Sequence, residues 1–172
     1  MTTHAELRPG RYLTFHLGAA HYGVPLRAVR EVVRMGPVTV VPLMPAHVRG
    51  VMNLRGNVVP VLDLRAKFGM SAVEYTERAC IVFFDVPGNN TRNVGSVGAL
   101  VDGVDDVVML AQPQLMPPPD FADAVDTDYL LGVGATPERA YTLLRMHAIL
   151  STDGSVMLPS FNTAAAGGPG TP

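Results

Sequence analysis

Apolar positions along this chain come in short runs broken by Gly, Pro and polar residues, the pattern of a β-rich domain rather than of long helices. Tyr12 to Leu17 alternates and predicts a strand, and Gly18-Ala19-Ala20 turns into a second one at Tyr22 to Leu26. Ala28 to Met35 carries both periodicities; it reads as a short turn and then a strand containing Glu31, with Val29, Val32 and Val33 facing inward. Pro37, Pro42 and Pro45 punctuate the next stretch. Two further runs, Val51 to Leu54 and Val58 to Leu62, flank Asn53-Leu54-Arg55-Gly56-Asn57. Asn and Gly tolerate positive φ, so this is a hairpin with Arg55 at or beside its tip. Asp63 to Gly69 predicts a single helical turn, capped by Asp63 and closed by glycine.

The second half repeats the style. After a polar connection at Ser71 to Glu77, strands are predicted at Cys80 to Val86, Val94 to Val101 and Val104 to Leu110, with a Pro87-Gly88-Asn89-Asn90 loop between the first two. A Pro- and Asp-rich excursion, Pro113 to Asp128, precedes strands at Tyr129 to Gly134 and Arg139 to Leu144 and a helical stretch from Met146 to Leu150. Residues 1–10 and the low-complexity tail 160–172 read as disordered. Gly23 to Val33 resembles Gly98 to Val108 at an offset of about 75, an offset that Pro42 and Pro117 also fit. Gly50-Val51 matches Gly132-Val133, and Leu62-Asp63-Leu64 matches Leu144-Arg145-Met146, at an offset of about 82. The repeat implies an all-β fold of two small barrels of about five strands over one shared hydrophobic core, with short helices. A single domain is expected over 11–155, its two parts near 11–70 and 78–150, with strand exchange between them left open.

Composition agrees with a folded, well-cored chain: 48% of the 172 residues are hydrophobic and only 16% charged, against about 25% charged in typical domains. The lone Cys80 leaves no disulfide framework within the chain, and the N-terminus lacks an apolar signal core, so a cytoplasmic protein is expected. Charge is unevenly spread. From Arg27 to Lys67 the chain carries Arg27, Arg30, Arg34, Arg49, Arg55, Arg65 and Lys67 against only Glu31 and Asp63, whereas Asp102 to Glu138 holds eight acids and no Lys or Arg. Such polarity suits steering of protein partners. No aromatic-rich or clustered basic motif points to nucleic acid.

Catalytic constellations are missing. His4, His16, His21, His47 and His147 have no metal-ligand spacing, and Cys80 within an apolar strand reads as a buried thiol. The glycines at 95 and 98 or at 132 and 134 make no phosphate loop, and Asp102, Asp105 and Asp106 read as a solvated acidic loop rather than a calcium site. No enzyme, metal or cofactor is expected. An interaction module remains, with Glu31 and Arg55 as its most informative charges because each lies within an otherwise apolar segment.

The segment Val48 to Arg65, together with Tyr22-Gly23-Val24, Val29 to Val32, Arg78 to Val82, Gly98 to Val104 and Tyr129 to Gly134, resembles the CheW family of bacterial chemotaxis coupling proteins over about Tyr12 to Leu150. The resemblance implies two five-stranded SH3-like β-barrels and no catalysis. It further implies an adaptor between the cytoplasmic tip of methyl-accepting chemoreceptors and the regulatory domain of a CheA-type histidine autokinase. Such an adaptor reaches the membrane only through its receptors. Carried over by motif, receptor binding falls to Val29, Glu31, Gly50, Asn53, Leu54, Arg55 and Gly56, with Val104 and Val107 on the second barrel; kinase contacts are left unassigned. Arg145 stands where the family has an Asp. No stretch reads as a receiver, kinase or phosphotransfer domain, so neither a CheV-type fusion nor CheA itself is expected. The alternatives are an adaptor of a pathway controlling pilus motility, biofilm or development, and a small-molecule-binding β-barrel.

Overall fold

The computed structural model describes residues 7–87, 94–118 and 129–154. The readings of residues 1–6, the loop at 88–90, residues 119–128 of the excursion and the tail 160–172 lie outside that set. Strands β1 (Gly10–Leu17), β2 (Ala20–Pro25), β3 (Val29–Arg34), β4 (Val48–Leu54) and β5 (Asn57–Asp63) lead to the one-turn helix α1 (Leu64–Lys67). Then come β6 (Cys80–Pro87), β7 (Val94–Val101), β8 (Gly103–Leu110), the two-residue β9 (Leu115–Met116), β10 (Leu130–Ala135), β11 (Ala140–Leu144) and α2 (Met146–Gly154). Each predicted strand is present, with ends displaced by only a few residues.

The strands form two sheets, ordered β3-β6-β7-β5-β4 and β8-β1-β2-β11-β10-β9, which make two SH3-like barrels. One barrel is five-stranded as expected, and the other gains β9 as a sixth strand. In the first barrel the place of β9 is taken by a single bridge between Thr39 and Val51.

The internal repeat is a structural one. Antiparallel β1–β2 corresponds to β6–β7, and the parallel pairing of β5 with β7 (Val61 opposite Gly98) corresponds to that of β11 with β2 (Leu143 opposite Gly23). Yet the division expected at 70–78 separates the repeats, not the barrels. The chain changes sheet at Leu26–Ala28, between β2 and β3, and again at Asp102, between β7 and β8. Each connection is too short to double back, so each repeat leaves its first two strands in one barrel and continues in the other. Strand exchange is the physical reason the sequence boundary fails.

Burial on both faces explains why the Cys80–Val86 run is continuous rather than alternating. Ile81 and Phe83 fill the interior of the β3–β7 barrel, whereas Val82 and Phe84 point the other way into the shared core. β1 does the same, with Tyr12 inside its barrel and Leu13, Phe15 and Leu17 in the shared core. Strands buried on both faces read as unbroken apolar runs. Each fully buried Leu or Phe contributes about 1.5–3 kcal/mol. In β3, Glu31 and Val33 stand opposite Phe83 and Ile81, whereas a register shift between Val29 and Glu31 puts Val29 opposite Phe84 on the shared core; Val32, expected inside, is 38% exposed.

Candidate functional site

The β4–β5 hairpin pairs Leu54 with Asn57, leaving Arg55-Gly56 as a two-residue loop. Both have positive φ, 53° and 90°, as a type I′ turn requires. Glycine meets this without cost, but arginine does not. The turn is secured from the strand: the Gly56 N–H donates to Asn53 Oδ1 at 2.7 Å. Arg55 Nη1 in turn donates to Glu31 Oε1 at 2.6 Å, joining the hairpin tip to β3. Arg55 is 71% exposed and Glu31 only 20%. The hydrogen bond and charge of Glu31 raise the Arg55 pKa above its ordinary value. Glu31 Oε2 is buried without a hydrogen-bond partner among the described residues. Leaving a buried acceptor unpaired is costly, so this carboxylate is under-satisfied.

At the hairpin's base, Gly50 follows a register shift and takes φ 148°. A Cβ there would enter the Thr39 carbonyl, so the close approach of the 35–47 segment requires glycine. The objection to a side chain is thus steric before it is electrostatic. Val29 packs on the shared core together with Val104 of β8. Val107 is 41% exposed on the same strand, which pairs with β1 alone. Of the sequence-derived residues, then, Glu31 and Arg55 meet directly, Asn53, Leu54 and Gly56 build the same tip, and Gly50 sets its base. Val29 and Val104 meet only through the core, and Val107 lies apart on the second barrel.

Two polar clusters were hidden from sequence reasoning. Asp102, expected in a solvated loop, sits at the crossover between barrels and accepts Arg65 Nε (2.9 Å) and Nη2 (2.8 Å) and the Gly18 N–H (2.7 Å). Burial would raise its pKa, but the Arg65 and Gly18 bonds outweigh that and hold it below the usual carboxylate range. Arg65 Nη1 also donates to the Ser71 carbonyl. Asp105 lies on β8 between His16 Nδ1 (2.8 Å) and His21 Nδ1 (3.2 Å), and Arg139 Nη1 approaches both His21 nitrogens. No group of residues fit to hold a metal occurs among the described residues. Asp63 caps α1 as expected, accepting the Ala66 N–H, and also accepts the Tyr75 hydroxyl at 2.7 Å. Burial first, then Asp63, push the Tyr75 pKa up. Cys80, expected buried, is half-buried at the start of β6. The pairs joining residues 37 or 89 apart leave no local mark in the sequence.

Comparison with known proteins gives one answer. The family model for the CheW-like domain matches residues 11–154. The chemotaxis protein CheW of Klebsiella aerogenes is 38% identical over 142 residues, 83% of this chain and 82% of that protein. Protein FrzA of Myxococcus xanthus is 31% identical over 151 residues, 86% of this chain and 90% of that one. Among solved structures, the scaffolding protein TtCheW of Thermoanaerobacter tengcongensis superposes with a TM-score of 0.75 at 27% identity, over 87% of this chain and 98% of that one.

Proposed function

The chain belongs to the CheW-like domain family, a family of non-catalytic scaffolds, and from that premise we propose that it couples the cytoplasmic tip of chemoreceptors to a CheA-type histidine autokinase. The observation that carries the reading is the Glu31–Arg55 pair. It sets an exposed cation beside an under-satisfied acid on a hairpin that packing alone does not require to be charged. A helical receptor tip can bury aliphatic residues against Val29, Leu54 and Val104 while the paired charges fix its register. Gly50, Asn53 and Gly56 hold the tip in place for that contact, and Val107 extends the surface onto the second barrel. No helix among the described residues is long and apolar enough to cross a membrane, which suits a cytoplasmic protein brought to receptor arrays by its partners.

The test is a pull-down with a soluble chemoreceptor cytoplasmic fragment and, in parallel, with the cognate kinase. Arg55→Ala weakens receptor capture while kinase capture and the thermal melt stay unchanged. Unaltered receptor capture by that variant removes Arg55 from the site. Co-purification of the intact protein identifies the kinase, and with it the pathway served.

A further inference from the structure

A β-bulge singles out one acid of the second repeat. The β1–β8 register slips between Thr14 and Phe15, so Asp105 stands opposite no residue, and its carboxylate reaches over the β1–β2 hairpin. Buried Thr14 pins the bulge: its hydroxyl donates to the Asp106 carbonyl at 2.9 Å and accepts the Asp106 N–H at 3.1 Å. On the hairpin His16 pairs with His21, their rings 6.0 Å apart, and each Nδ1 meets one Asp105 oxygen, at 2.8 and 3.2 Å. Arg139, in the β10–β11 loop, brings Nη1 to 2.7 Å from His21 Nε2 and 2.9 Å from its Nδ1. No carboxylate pairs with Arg139 among the described residues, its neighbour Glu138 included. Tyr141 of β11 meets the His21 ring edge-on at 6.3 Å, and Asp102 lies near enough to His16 for their charges to interact.

These contacts fix the proton on His21. A guanidinium only donates and a carboxylate only accepts, so Nδ1–H serves Asp105 and the Nε2 lone pair receives Arg139. That is the neutral Nδ1–H tautomer. A second proton, on Nε2, removes the acceptor and sets two cations side by side. We propose that His21 is a proton-operated catch on the β10–β11 loop: the neutral ring holds Arg139, and the imidazolium releases it while keeping Asp105. Imidazole is the side chain whose charge changes between about pH 5 and 8, so the catch operates in that range. His16 offers Asp105 an N–H in either charge state and is not the moving part. The loop it releases, Thr136 to Arg139, is the second hairpin's counterpart of the Arg55-Gly56 tip. Proton binding thus frees one tip and leaves the other tied to Glu31.

The experiment is NMR of the nitrogen-labelled full-length protein at about pH 8 and about pH 5.5. Wild-type ring nitrogen shifts show the Nδ1–H tautomer of His21 at the higher pH. Backbone order parameters at Thr136, Glu138 and Arg139 are about 0.85 there and fall below about 0.6 at the lower pH, the amide shifts following the His21 ring. His21→Gln, whose amide accepts from Arg139 and donates to Asp105 without titrating, keeps the loop ordered at both pH values. Arg139→Ala leaves the loop loose at both, and His16→Gln retains the wild-type response. An Nε2–H tautomer at the higher pH, or equal order at the two pH values in wild type, overturns the proposal; both readouts need no variant, so a poorly folded one leaves the test readable. A response that survives in His21→Gln, or that vanishes in His16→Gln, also overturns it.

Discussion

The β4–β5 hairpin and its counterpart β10–β11 share a backbone and differ at the tip. Both have a register shift near the start, after Val48 and after Leu130. In both a glycine follows, Gly50 and Gly132, where a Cβ would enter a neighbouring carbonyl, that of Thr39 or Met116. Both end in a strand paired in parallel across the repeat and followed at once by a helix. What occurs twice is what a barrel of this kind needs. The tips are unlike: one is the strained Arg55-Gly56 turn tied to Glu31, the other a wider loop in which the Thr136 N–H donates to the Arg139 carbonyl at 2.9 Å. Strain and an under-satisfied acid in one copy only are costs the fold does not impose, and such costs gather where a partner acts.

If that division holds, the largest effects come from the shared features. Gly50→Ala and Gly132→Ala should each cost about 3 kcal/mol, because the clash is with backbone rather than with a yielding side chain. Urea unfolding of the two variants compares them directly. A near-neutral Gly132→Ala would break the equivalence of the hairpins at its base.

The crossovers give the next effect. Arg65 and Asp102 are 10% and 16% exposed, so Asp102→Asn should cost about 2 kcal/mol, the full penalty of a broken buried pair being reduced by residual solvent. Because the folded Asp102 has a depressed pKa, its contribution is fully present above the unfolded carboxylate value near 3.9 and is lost as pH falls through the lower folded one. Wild-type stability should therefore fall more steeply below about pH 4 than that of Asp102→Asn. Parallel slopes would mean that Asp102 is not the linked group.

How far the sequence speaks follows the same line between shared and unshared features. The repeat was legible because both copies keep the same apolar spacing and the same glycines. The exchange of strands was not, since exchanged and unexchanged barrels bury identical residues, and only the short connections at Leu26–Ala28 and Asp102 decide between them. The tip was legible from Asn53 to Asn57 because turn chemistry is local. Its partner Glu31 stood out only as a charge in an apolar strand; the bond itself spans 24 positions and emerges from strand placement. Asp102 misled for the opposite reason. Neighbouring acids made it look like a solvated loop, while the arginine that buries it arrives from α1, 37 positions away.

The smallest change in stability should come from the feature that matters most for function. Arg55→Asn places at the first turn position a residue that accepts positive φ readily, and so relieves the backbone. It also removes the hydrogen bond to Glu31, an exposed contact of modest worth. The two effects oppose, and the melting temperature should stay within about 2 °C of wild type. Receptor capture should nevertheless fall as it does for Arg55→Ala, because the cation is gone while the turn is kept. A variant that binds normally would show that turn geometry, shared in principle by any well-formed hairpin, is what the partner reads. A variant that binds weakly on an intact fold would place recognition in the Arg55 cation, which Pro137 replaces at the matched position of the second hairpin.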